Sequence, residues 1–351
     1  MSHGPAALTT TLTRTLTRTL TSALAAAVLL AGCSAGGDHA GTHAAGAASG
    51  SSTRTAPASS SAAGPAAPAR LRVHRLRWRL PQPLAREAVV PRGPGTVLVA
   101  GGLLAGDRSS AASYTLDLGR GTVVHLPDLT TPVHDVAGAS QGRTALVIGG
   151  GGVSEQSVVQ ARDRGAWRVA GRLPSARSDL STVTAHGTVY VVGGYDGGSV
   201  ALGDVLAGRT GGRWRVAARL PVPVRYAAVA WMHGAIWVLG GERAGAMVDT
   251  VQRVDPRTGA ARVVGHLPRP VGHAAGLVLG GRLLLAGGRT STDRLTGRLW
   301  WVRPGHVTAA GRLPTPLADS AVVARGPRSA YLVGGETPAL SDRVLRVSYG
   351  R

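Results

Sequence analysis

The run VYVVGG at residues 189–194, a short β-rich stretch closing on a glycine pair, has five counterparts. They are VLVAGG at 97–102, ALVIGG at 145–150, IWVLGG at 236–241, LLLAGG at 283–288 and YLVGG at 331–335. The first glycines stand at 101, 149, 193, 240, 287 and 334, in steps of 48, 44, 47, 47 and 47. A second dipeptide keeps that period independently: Leu-Pro begins at Leu80, Leu126, Leu173, Leu220, Leu267 and Leu313, in steps of 46, 47, 47, 47 and 46. Two unrelated dipeptides sharing one period mark an internal repeat, and the repeat decides the architecture.

Within residues 177–221, four runs of strand length follow one another at 180–185, 189–192, 202–207 and 213–217. They are rich in Val, too short for helices and separated by Gly or charged turns. Four antiparallel strands in each of six units predict an all-β chain folded as a six-bladed β-propeller. The last unit ends soon after its third run, 342–347, while residues 71–79 (LRVHRLRWR) precede the first Leu-Pro where a fourth strand would stand. An N-terminal strand is therefore expected to close the last blade, which removes the unpaired edges. The glycine pair has a sufficient structural role, since it allows positive φ and close backbone approach. The GGGG at 149–152 lacks the following helix or Lys of a phosphate loop.

This pattern resembles the kelch family, whose units carry a Gly-Gly doublet closing the second strand and a Trp in the fourth. The doublet occurs six times; Trp167 and Trp214 each stand six residues before the Leu of Leu-Pro, and smaller residues hold that position elsewhere. The resemblance covers residues 71–351 and implies a kelch-type propeller. Kelch-like copper oxidases join a Cys to a Tyr inside the domain, and no Cys lies within this one. Sialic acid mutarotases, kelch-like enzymes without metal or covalent cofactor, need only acid and base groups at the channel mouth.

The chain ahead of the repeat has a different character. Residues 1–18 carry Arg14 and Arg18 and no acid, and the apolar run 23–31 is shorter than the ~20 residues that span a bilayer. It ends Leu30-Ala31-Gly32-Cys33, which resembles the lipobox of bacterial lipoproteins. That resemblance implies a signal peptide over 1–32, lipidation of Cys33, export, and anchoring to the outer face of the bacterial cell membrane. Residues 34–69 are almost wholly Ala, Gly, Ser, Thr and Pro and read as a flexible tether with an end-to-end distance of about 30–35 Å. His39 and His43 read as solvated tether histidines. The expected organisation is signal peptide 1–32, lipidated Cys and tether 33–70, propeller 71–351.

Of 351 residues one is Cys, which excludes an internal disulfide, a thiolate zinc cage and an iron–sulfur cluster. All 39 basic residues are Arg, and neither Lys nor Asn occurs, a bias of coding more than of chemistry. From residue 71 on, 35 Arg stand against 17 acids and are spread through every unit, so no nucleic-acid partner is expected. Anionic headgroups or wall polymers around an anchor would feel this charge.

In such a blade, the loop entering the first strand and the loop after the second lie at the same end of the propeller. Function is expected there. Aligning the units on Leu-Pro places Arg86, Asp135, Ser178, Tyr226, His273 and Asp319 in a ring at the mouth of the central channel. One position earlier stand His134, Arg177 and Arg225; after the glycine pairs come Glu242, Arg289 and Glu336, with Tyr195-Asp196 in the third unit. The side chains vary while the framework repeats, as in an asymmetric site grafted on a symmetric scaffold. Expected ligand-binding residues are Arg86, His134, Asp135, Arg177, Arg225, Tyr226, Glu242, His273 and Asp319.

Arg177 and Arg225 lead that set, because guanidinium forks suit a carboxylate or phosphate. The alternative is pairing with Asp135, Asp179 or Glu242 inside the rim. His134-Asp135 has the form of an oriented base and His273 with Asp319 of a metal pair, but neither has ligand spacing. No metal and no cofactor are expected. The leading functional reading is a monomeric, surface-tethered, non-enzymatic binding module for an anionic glycan, envelope polymer or protein partner. The alternative is a cofactor-free carbohydrate-modifying enzyme resembling sialic acid mutarotases.

Overall fold

The computed structural model describes residues 70–350, Ser199 excepted. Residues 1–69, with the expected signal peptide, Cys33 and the expected tether, lie outside them. The described residues form no helix; they build six four-stranded antiparallel sheets arranged as a six-bladed β-propeller. The innermost strands are Ala88–Gly93, Ala137–Gln141, Ser181–Ala185, Ala228–Met232, Ala275–Leu279 and Ala321–Ala324, blades one to six. Each packs against the next and the last against the first.

The expected runs are present with shifted ends. Blade three comprises Ser181–Ala185, Thr188–Val192, Asp204–Gly208 and Arg215–Arg219, so its fourth strand starts two residues later than its sequence suggests. Trp214 covers Gly208 just ahead of that strand, where a glycine Cβ would collide with the indole. The sixth blade takes its fourth strand from the N-terminus: Arg70–Arg75 pairs antiparallel with Val344–Gly350, from Arg70 opposite Gly350 to Arg75 opposite Leu345. The closing strand is thus shorter than residues 71–79.

Burial explains both repeated dipeptides. Buried apolar side chains gather in a cluster at each of the six seams between neighbouring blades. The Leu of Leu-Pro is buried in five of these seams and its amide is satisfied; the Leu173, Leu220, Leu267 and Leu313 amides donate to carbonyls of their own blades at 2.7 Å. The following Pro has no donor and ends the strand. In each glycine pair the second amide donates to a carbonyl of the loop entering the next blade: Gly102 to Val133, Gly150 to Arg177, Gly194 to Val224, Gly241 to Val271, Gly288 to Leu317, and Gly335 back to Leu84 at 2.8 Å. The pairs have positive φ, +58 and +100 at Gly334 and Gly335, and a Cβ on either would strike a backbone carbonyl across the seam or in the adjoining loop.

Candidate functional site

One residue per blade, just ahead of the innermost strand, turns through the left-handed region. These are Arg86 (φ 58), Asp135 (φ 52), Asp179 (φ 57), Tyr226 (φ 51), His273 (φ 56) and Asp319 (φ 54). Non-glycine residues adopt this conformation at a cost and only where surroundings enforce it. Here a ring of backbone hydrogen bonds does so. The amide of Asp179 donates to Asp135, Tyr226 to Asp179, His273 to Tyr226, Asp319 to His273 and Arg86 to Asp319, at 2.9 to 3.1 Å. In the second blade, whose entry loop is longer, the amide of Val136 takes that place toward Arg86. The six side chains line a cavity of about 140 Å³ open at one end, and the channel continues below it between the innermost strands.

The third ring member is Asp179, not Ser178. Ring residues stand six after the Leu of Leu-Pro in every unit but the second, and six after Leu173 is Asp179. Ser178 occupies the preceding position and bridges Tyr195 through its backbone, as Arg225 bridges Glu242 and His134 bridges Gly151. Arg177 is displaced by the same slip. It does not enter the channel: it is 1% exposed, donating to the Gly193 carbonyl at 3.2 Å and the Ser175 hydroxyl at 2.9 Å. Its equivalents are Leu84, Val133, Val224, Val271 and Leu317, all core residues. Burial lowers its pKa.

The remaining expected residues converge. Hairpins after the glycine pairs, Glu242–Arg243 with Ala246–Met247, Arg289–Ser291 with Arg294–Leu295, and Glu336–Thr337 with Ala339–Leu340, bring Glu242, Arg289 and Glu336 over the mouth. Arg86 lies 3.4 Å from Asp135, 3.7 Å from Asp319 and 3.1 Å from Glu336, and donates to the Tyr226 hydroxyl at 3.4 Å. Arg225 pairs with Glu242 and, at 3.2 Å, with Asp179, and its guanidinium faces the rings of Tyr195 and Tyr226. Arg225 is therefore a rim ion-pair partner. Arg289 joins Asp319 to Glu336. Three guanidiniums meet five carboxyls here, those of Asp135, Asp179, Glu242, Asp319 and Glu336.

His273 is clamped between acids, its Nδ1 2.6 Å from Asp319 and its Nε2 3.4 Å from Glu242. Burial would lower its pKa, but Asp319 and these two hydrogen bonds raise it. The bond from His273, then the bond from Arg225, draws Glu242 down to about 2. His273 with Asp319 is thus a hydrogen-bonded dyad. Among the described residues, no group of three or more His, Cys, Asp and Glu side chains is placed to hold a metal ion. His134 accepts or donates at Ser109 Oγ, 2.9 Å away, and lies 3.4 Å from Asp135; burial and then Arg86 lower its pKa.

Asp135 and Asp179 behave differently from the other acids. Burial pushes both up to about 6; Asp319 raises Asp135 further and Asp135 raises Asp179, while Arg86, Arg225 and the nearby Tyr226 hydroxyl oppose the rise. One oxygen of Asp135 has no partner. Two acids lining the cavity are not among the expected ligand-binding residues, Asp179 being named only as a rim partner. Asp179 was recognisable by its spacing from Leu173. Glu87 follows Arg86, where other blades place Val136, Leu180, Ala227, Ala274 and Ser320; a carboxylate at a core position was the available signal.

No known protein family matches the sequence, and no curated protein matches it significantly. Among solved structures the chain is similar to one described as YjhT, with a TM-score of 0.66 and 18% sequence identity, over 78% of this chain and 99% of that one. At that identity the likeness carries the fold.

Proposed function

We propose that the channel mouth is a cofactor-free acid–base site for a small, hydroxyl-rich substrate, of the kind that interconverts sugar anomers. The observation that carries this reading is the pair Asp135 and Asp179, which line one cavity with Tyr226 and are both raised toward neutrality. Two interacting carboxyls titrate as a pair, so near pH 6 the pair holds one proton. One member then offers a proton to the ring oxygen of a hemiacetal while the other accepts the proton of its anomeric hydroxyl. The ring opens to a carbonyl, the bond rotates, and the reverse transfers close it on either face, with no net gain or loss of protons. The cavity has room for on the order of ten waters, which suits a single sugar ring.

The charge balance favours a neutral polyol over an anion, because every guanidinium at the mouth is already engaged by carboxylates. The likeness of fold to YjhT is compatible with the reading. The test is anomer exchange followed by NMR with neutral and acidic sugars. A rate that rises with the first ionisation of the pair and falls with the second, centred near pH 6, supports it; exchange no faster than in buffer at any pH overturns it. A non-enzymatic module for an anionic glycan, envelope polymer or protein partner would then be the better account.

The kelch kinship rests on the six glycine pairs with Trp167 and Trp214, and it belongs to the same proposal. So do export and lipid anchoring through Cys33. Cys33→Ala should move the protein from the membrane fraction into the medium or periplasm; unchanged membrane retention would sink the anchor.

A further inference from the structure

The seam between blades four and five opens into a second cleft of about 140 Å³, separate from the channel. The hairpin Arg289–Ser291 with Arg294–Leu295 is the wall between the two: Arg289 reaches into the mouth, and its neighbour Thr290 lines the cleft. Leu267, Val271, Leu285 and Leu295 supply apolar contact. Arg269, Arg294, Arg298, Thr290, Thr296 and Trp300 supply the rest.

No carboxylate lines this cleft, and among the described residues none of the three guanidiniums is ion-paired. Asp249, an acid on the same blade edge, is occupied by His266 at 3.0 Å. The Arg298 guanidinium lies 5.7 Å from the centroid of the Trp300 ring, which gives it a preferred orientation.

The next seam is an internal control. The cleft between blades five and six, about 130 Å³, repeats the frame with Thr337 for Thr290, Ser341 for Thr296 and Arg343 for Arg298. The equivalence follows from the backbone, since Gly287 donates to Arg298 as Gly334 does to Arg343, both at 3.0 Å. There, however, Asp342 stands 3.8 Å from Arg343, Arg75 donates to Thr315, and Leu345 replaces Trp300. In the other four blades the position of Arg298 holds Ala112, Val158, Asp204 and Thr250. Among the six equivalent positions, an arginine without a carboxylate partner and with a Trp two residues on thus occurs only at Arg298.

We propose that this cleft binds the phosphoryl group of a phosphate monoester whose body rests on Trp300. Three arginines line this one cleft with no carboxylate among them, so the charge there is unbalanced until an anion joins them. A phosphoryl dianion presents three terminal oxygens to forked donors, and the Thr296 hydroxyl, which accepts from the Arg298 amide and keeps its own proton free, can complete its shell. The site stands apart from any turnover at the mouth.

The test is titration calorimetry at low ionic strength with phenyl phosphate, inorganic phosphate and benzoate. Phenyl phosphate should bind more tightly than inorganic phosphate, which lacks a ring, and than benzoate, which carries one charge. Arg294→Ala and Arg298→Ala should each weaken phenyl phosphate about tenfold or more, the effect of losing one charge-assisted bond. Trp300→Leu, the residue type of the sixth blade, should erase the preference over inorganic phosphate. Arg343→Ala and Tyr226→Phe should leave binding unchanged. Benzoate binding as tightly, an Arg343→Ala loss equal to that of Arg298→Ala, or full affinity in the Arg294→Ala, Arg298→Ala double variant would each overturn the assignment.

Discussion

The Tyr226 ring lies on the His273 imidazole, centroids 3.8 Å apart and planes 23° apart, although the two side chains come from different blades. Both backbones are left-handed and the His273 amide is bonded to the Tyr226 carbonyl, so the stack is set by the ring of backbone bonds. A ring face beside an imidazole favours its protonated form, in the same sense as Asp319. The arrangement joins the His273–Asp319 dyad to the Asp135–Asp179 pair through one aromatic residue.

Tyr226→Phe separates the two roles of that residue. The stack survives, while the hydroxyl that accepts from Arg86 beside Asp135 and Asp179 is lost. Anomer exchange should fall by roughly a hundredfold, the lower end for an acid–base group. The melting temperature should change little. An unchanged rate would place the chemistry away from Tyr226.

Glu87 gives a pH prediction of stability. It is 4% exposed; its carboxyl oxygens make no hydrogen bond of normal geometry, although its own amide and that of Ala321 lie alongside. Burial raises it from 4.5 to about 8, against those amides. A carboxyl raised on folding contributes stability that is complete below its unfolded value and is lost as pH rises through its folded value. The protein should therefore weaken between about pH 4.5 and 8, by up to ~5 kcal/mol if the whole shift is realised. Glu87→Gln cannot ionise and should remove that slope. Parallel pH–melting curves for the two proteins would refute the assignment.

Much of this could be read in the chain because a propeller writes its seams into the sequence. Gly335 must be glycine where its amide meets Leu84, and Leu313 must be apolar where the seam closes over it. Such constraints recur with the blade, so periodicity exposes them. The site follows no period, and only register locates it. A slip of one residue exchanged Ser178 for Asp179 and put Arg177, an inward core position, at the mouth. Nothing periodic announces Glu87 or the unpaired arginines of the fourth seam, because each departs from the repeat at a single blade.

Arg177 and Arg225 should respond to substitution in opposite ways. Arg177 has no carboxylate partner among the described residues and occupies a place that holds Leu or Val elsewhere, so Arg177→Leu exchanges a desolvated cation for packing. It should leave stability unchanged or raise it by about 1–2 kcal/mol, as replacement of a buried ion by a well-packed apolar residue can. Arg225→Leu strands Asp179 and leaves Glu242 to His273 alone, and should cost about 2–3 kcal/mol, somewhat below the figure for fully buried pairs. Chemical denaturation of both variants decides it. Equal losses would mean that Arg177 is held by more than its two hydrogen bonds.

Ring closure is the last point of contact between sequence and fold that can be tested by removal. Arg70–Arg75 supplies a full antiparallel register to Val344–Gly350, places Leu71 and Val73 against the seam between blades five and six, and is followed by the Leu76 amide bonded to Val344 at 3.0 Å. Without it, the outer edge of Val344–Gly350 presents unpaired donors and acceptors, and Leu345 and Val347 lose apolar cover. Removing residues 70–75 should lower the melting temperature by more than about 5 °C, given that a chain of this size shifts ~2–4 °C per kcal/mol, and should promote edge-to-edge association detectable by light scattering. Removing residues 34–69, which add no strand in the expected organisation, should leave the melting temperature within about 2 °C. Val73→Asp tests the seam without shortening the chain and should fall between the two. Equal melting temperatures for both deletions would show that the sixth blade does not depend on its N-terminal strand.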